Sequence, residues 1–143
     1  MNTRTILTAL AAIGLTLGTA SAVTSPAFAV VPNSTAAVNT DTAGIALHGY
    51  DAVAYFKAGK PQQGSPRFTT SYEGASYQFA SAENLKAFQA NPAAYAPAYG
   101  GFCAMGVALD KKLDGDPQVW KIVDGKLYLN VNKDVSVAWQ RDI

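Results

Sequence analysis

The sequence predicts a small α+β domain with two antiparallel β-hairpins and two to three short helices. Three observations carry that prediction. Two runs of β-prone residues turn back on themselves, at Glu73-Gly74 and at Asp124-Gly125. Stretches with helical spacing follow polar capping residues at Ser81 and Asn132. Strands and helices do not alternate at the spacing that a parallel βαβ unit requires, and no internal repeat stands out along the chain.

From Ile45 to Phe56 the chain reads as a short strand or turn broken by Gly49. A strand or helical turn follows, with Val53, Tyr55 and Phe56, and Gly59 and Pro61 close it. Between Arg67 and Phe79, Phe68, Thr70 and Tyr72 alternate with Thr69 and Ser71, and Tyr77 and Phe79 resume the alternation after the turn. This is a hairpin with one aromatic face. Ser81 caps a helix over Ala82–Ala90, Glu83 sits in its favourable first turn, and Asn91-Pro92 ends it. Ala93, Ala94 and Tyr95 add one helical turn before Pro97. Gly100-Gly101 then opens a loop into Phe102-Cys103-Ala104-Met105, and Lys111–Pro117 is a polar loop. Val119–Val123 and Lys126–Val131 flank the second turn, and Val135, Ala138 and Trp139 share a face of the last helix.

Ahead of the domain, Arg4 and an apolar run from Ile6 to Leu17 have the order of an export signal, too short to serve as a membrane anchor. Small-x-small sites occur at Ala20-Ser21-Ala22 and Ala27-Phe28-Ala29. The second, preceded by Pro26, is the expected cleavage point, which makes residues 1–29 a cleavable signal peptide. Residues 30–43 read as a flexible leader and 44–143 as the domain, located in the periplasm or secreted and not inserted in a membrane after cleavage. Without Arg4, ten of the eleven basic residues remain against ten acidic ones. A neutral chain with no basic cluster does not match nucleic acid or anionic lipid.

Past the expected cleavage point there is one histidine, His48, one cysteine, Cys103, and one methionine, Met105. A single cysteine forms no internal disulfide, and these residues cannot complete a zinc or blue-copper site within one chain. They do suit a soft ion. Cys103, His48 and Met105 are the expected metal ligands and copper the favoured ion, with a second copy of the chain, a homodimer, available to complete the coordination. Cys103 and Met105 can face the same side only if the backbone between them is not helical. The alternatives are a ligand- or protein-binding module in which Cys103 is a buried apolar residue, with recognition by Tyr50, Tyr95 and Tyr99, and, more remotely, a thiol enzyme using Cys103 and His48. Asp114-Gly115-Asp116-Pro117 is too short for a calcium loop and reads as a turn.

Tyr77-Gln-Phe79-Ala-Ser81, with Asn84, Phe88, Asn91-Pro92 and Tyr95 after it, resembles the YHS-domain family. Gly49-Tyr50-Asp51-Ala-Val-Ala-Tyr55-Phe56, Tyr99-Gly-Gly-Phe-Cys103-Ala and Asp124-Gly-Lys-Leu-Tyr-Leu-Asn130 resemble its exported, single-domain bacterial branch. The resemblance implies a small α+β module of the kind found beside heavy-metal transporters and oxidases, with a metal ion or small ligand as partner. In the metal-associated form, cysteines stand where this chain has Ala80 and Asn84. Only His48 and Cys103 are left to take over that role.

Overall fold

A computed structural model describes residues 34–143. The expected signal peptide, both cleavage sites and the first residues of the expected leader lie outside the described residues. In chain order the elements are α1 (Ala54–Lys57), β1 (Ser65–Tyr72), β2 (Ala75–Phe79), α2 (Ala82–Ala90) and α3 (Pro92–Tyr95). They are followed by α4 (Ala104–Ala108), β3 (Asp116–Val123), β4 (Lys126–Asn130) and α5 (Lys133–Trp139). The strands pair as two separate antiparallel sheets, β1 with β2 and β3 with β4, which is the predicted α+β class. More helices form than the two to three expected. The additional ones, α1 and α4, have four and five residues, too few to leave a period in the sequence.

Local chemistry explains most of these elements. Both hairpin turns place two residues at positive φ, Glu73 and Gly74 at 48° and 79°, Asp124 and Gly125 at 49° and 73°. That geometry matches the twist of the flanking strands. Ser81 accepts a hydrogen bond from the Asn84 N–H to start α2, and Asn132 accepts one from the Val135 N–H to start α5. On β2 the alternation buries Ala75, Tyr77 and Phe79. Phe88 of α2 stacks on Tyr77 at 4.9 Å between ring centroids and packs on Phe79 at 5.0 Å.

The chain also repeats itself, against the expectation from sequence. Ser65 pairs with Phe79, the register then slips, and pairing resumes from Thr69–Gln78 to Tyr72–Ala75. In the second hairpin Asp116 pairs with Asn130, the same slip follows, and pairing resumes from Trp120–Leu129 to Val123–Lys126. Each hairpin is followed by a side-chain-capped helix. Each is preceded by a short helix that comes after a turn of three residues at positive φ, Leu47–Gly49 or Tyr99–Gly101. Close backbone approaches are repeated too. A Cβ on Gly64 would lie 2.7 Å from the Gly49 carbonyl oxygen, and one on Gly115 would lie 2.5 Å from that of Gly101. The sequence offset is 52 residues at the turns (Gly49 to Gly101) and 51 at the hairpins (Ser65 to Asp116). This change of offset, together with few shared residue identities, hides the duplication from a search for a fixed period.

The described part of the expected leader packs on the domain. Val38 is buried, the Asn39 N–H donates to the Gly100 carbonyl at 2.9 Å, and Thr40 pairs with Ala46. A Cβ on Gly100 would come within 2.0 Å of the Ala37 carbonyl oxygen. Only glycine lets this strap lie where it does, and the packing of the strap reaches back to Val38.

Asp51 ties the first half together. It is fully buried, and its Oδ1 accepts from the N–H groups of Val53 and Ala54, at 2.8 and 3.2 Å. Its Oδ2 accepts from the Ala80 N–H at 2.9 Å and from Asn84 Nδ2 at 2.7 Å. One carboxylate thus caps α1, holds the end of β2 and anchors α2. Asp51→Ala strands these donors in an apolar interior, and a loss of about 3–5 kcal/mol in unfolding free energy is expected from urea denaturation.

Candidate functional site

The two positive-φ turns and the strap meet at one place. The turn at Leu47–Gly49 brings His48 to the surface with Leu47 buried beneath it, and Leu47 lies 3.7 Å from where a Cβ on Gly101 would sit. His48 crosses from the first half to the second, where its Nε2 lies 2.8 Å from Asp114 Oδ1. The side chains are 45% and 21% exposed. Asn39, on the strap, donates from Nδ2 to the same Asp114 oxygen at 2.6 Å and to the Gly101 carbonyl at 3.4 Å. A carboxylate can only accept, so Nε2 carries the proton of this hydrogen bond. In the neutral ring Nδ1 then keeps its lone pair.

The hydrogen bond to Asp114 raises the His48 pKa above its ordinary value. Partial burial opposes this, and the charges of Asp114, Asp41 and Asp116 add to the rise. For Asp114, burial pushes upward, but hydrogen bonds from His48 and Asn39 outweigh it and the carboxyl titrates below its usual range. A raised histidine adds stability that is complete below its unfolded pKa and disappears as pH rises through the folded one. A lowered aspartate adds stability that is present above its unfolded pKa and disappears as pH falls through the folded one. The pair therefore contributes most between about pH 4 and pH 6.5, and because it is half exposed the gain stays below about 1 kcal/mol. Melting curves of wild type and Asp114→Asn should differ most near about pH 5.5 and converge by about pH 9.

The expected ligand set is not brought to one point. Cys103 is fully buried at the start of α4, where its Sγ accepts from the Gly106 N–H at 3.4 Å and donates to Asn130 Oδ1 at 3.5 Å. The backbone from Ala104 to Ala108 is helical, the condition under which Cys103 and Met105 cannot face the same side. Met105 is half-buried and lines a groove with Leu109, Trp139 and Asp142. The tyrosines are also dispersed. Tyr50 and Tyr95 pack on the core, Tyr95 edge-on to Phe56 at 5.5 Å, whereas Tyr99 is exposed and leans on Tyr128 at 5.9 Å.

Among the described residues, no three His, Cys, Asp or Glu side chains cluster as a metal site. At the positions where the resemblance implies cysteine ligands, the Ala80 N–H and the Asn84 amide both donate to Asp51. These groups are committed to the fold and do not fit a metal ion. His48 Nδ1 is different, a half-exposed nitrogen with no hydrogen-bond partner among the described residues. Asp114 in its polar turn, Asn39 in the expected leader and Asn130 near the end of a strand carry no local signal that marks them as partners of His48 or Cys103.

Comparison with known proteins gives one finding. Residues 54–99 match the family model of the YHS domain, which places the match on the first half, from α1 to the turn at Tyr99. No curated protein and no solved structure gives a significant match.

Proposed function

The chain contains a YHS domain, and from that premise we propose that it is a metal-handling binding module that works outside the cytoplasm and takes copper at its His48 face. The observation that carries this reading is the half-exposed imidazole held through Nε2 by Asp114, with Nδ1 open to an incoming ion. A carboxylate behind a ligating histidine fixes the tautomer and makes the ring a better donor. Copper(II) heads the affinity order of the divalent first-row ions for nitrogen donors. The remaining coordination positions fall to solvent or to a second copy of the chain. The Cys103 sulfur is committed to Gly106 and Asn130, which supports a site that rests on nitrogen. Export to the periplasm or beyond rests on the character of residues 1–29. Among the described residues, no helix is long and apolar enough to cross a membrane.

Competition titration of the full chain with Cu(II), and with Zn(II) as a redox-silent comparison, tests the reading. Wild type and Cys103→Ser should bind alike and His48→Ala should lose binding. Asp114→Asn should weaken affinity by about 10–100-fold. Binding that persists in His48→Ala, or none in wild type, refutes it.

A further inference from the structure

Cys103 holds in the second half the place that Asp51 holds in the first. The Asp51 N–H donates to the Gln62 carbonyl at 2.9 Å and the Cys103 N–H to the Leu113 carbonyl at 2.8 Å. The Ala54 N–H reaches Asp51 Oδ1, and its counterpart, the Gly106 N–H, reaches Cys103 Sγ. The Val53 N–H reaches Asp51 Oδ1 at 2.8 Å, but the corresponding Met105 N–H finds no oxygen on cysteine and turns to Asn130 Oδ1 at 3.2 Å. Asn130 stands in β4 where β2 has Phe79, an apolar core position. It thus supplies an oxygen that the cysteine lacks.

That substitution leaves a residue of unmet polarity. Asn130 is fully buried, and the Met105 N–H fixes which end of its amide is the acceptor. Its Nδ2 has no partner among the described residues. The amide presents its Oδ1 to the Cys103 thiol and to the Met105 N–H, and the Gly106 N–H reaches the same sulfur. This buried node therefore holds more donors, Nδ2 among them, than a thiol can satisfy.

We propose that Cys103 is an oxidation site and that the fold holds its sulfinate, with the two sulfinate oxygens taking the places that the carboxylate oxygens of Asp51 take in the first half. The oxidant is a peroxide. In the first step the thiol and one hydrogen peroxide give the sulfenic acid and water, as an S–O bond forms and the O–O bond breaks. In the second step the sulfenic acid and another hydrogen peroxide give the sulfinate, a proton released to solvent, and water. Local opening of the five-residue α4, which Cys103 caps, admits an oxidant little larger than water. In the product one oxygen accepts from the Gly106 and Met105 N–H groups, as Asp51 Oδ1 accepts from those of Ala54 and Val53, and the other is left for the Asn130 amide. The Asn130 amide, released from Met105, turns to donate through Nδ2. The proposal is independent of metal binding.

Two measurements on the full chain test it. Hydrogen peroxide is titrated against the folded protein and peptides are read by mass spectrometry, with half-buried Met105 as the internal measure of dose. A gain of two oxygens at Cys103 with the fold retained is expected. A thiol that survives doses converting Met105 to its sulfoxide overturns the proposal, and so does oxidation that unfolds the chain. In the second, Cys103→Asp imitates the sulfinate and should melt at or above the temperature of Cys103→Ser near neutral pH, an advantage that Asn130→Leu removes. If Cys103→Asp melts below Cys103→Ser, or fails to fold, the proposal is overturned as well.

Discussion

A single buried carboxylate sets the terms for the first half of this protein. Asp51 takes hydrogen bonds from α1, from the residue after β2 and from α2, segments that local sequence alone would leave loosely joined. An anion is tolerated in the interior only when its oxygens are fully hydrogen-bonded, and four N–H donors meet that demand. The same commitment decides where a metal cannot go. Ala80 and Asn84, the positions that resemblance links to metal, serve Asp51 as donors, and neither brings the thiolate that the metal-associated form has there.

The second half follows the same plan, and the join between the halves creates the candidate site. An aromatic contact is repeated, with Phe88 stacked on Tyr77 in the first half and Trp139 tilted against Tyr128 in the second. The halves are also bound to each other. The Tyr55 hydroxyl donates to the Pro117 carbonyl at 2.9 Å, and its ring meets Trp120 edge-on at 5.2 Å. His48 comes from one half, Asp114 from the other and Asn39 from the strap that lies across both. Three left-handed residues in a row, two of them not glycine, are costly in a short turn. Here that cost lifts an imidazole to the surface with its outer nitrogen unpaired among the described residues.

The two halves differ most in their polar nodes. Where the first has Asp51 and Phe79, the second has Cys103 and Asn130, and one buried amide donor is left without a partner among the described residues. A copy that departs from its partner in packing alone would have kept an apolar residue at Asn130. The departure is one of chemistry, and it surrounds the only thiol in the chain.

By itself the sequence determined the elements whose cause is local. The hairpin turns at Glu73-Gly74 and Asp124-Gly125, the caps at Ser81 and Asn132 and the bounds of α2 each depend on residues within a few positions of one another. Their side-chain and backbone geometry is the same in almost any surrounding. The tertiary structure decided everything that joins distant parts of the chain. His48 and Asp114 are 66 residues apart, Asn39 and Asp114 are 75 apart, and Asp51 and Asn84 are 33 apart. No period or composition marks such pairs, because each depends on where the backbone turns bring two halves into contact. The strap, the duplication and the burial of Cys103 share that origin. His48 and Cys103 were legible as scarce chemistry, and the fold alone determined that one faces solvent beside a carboxylate and the other is buried against the oxygen of an amide whose Nδ2 has no partner among the described residues.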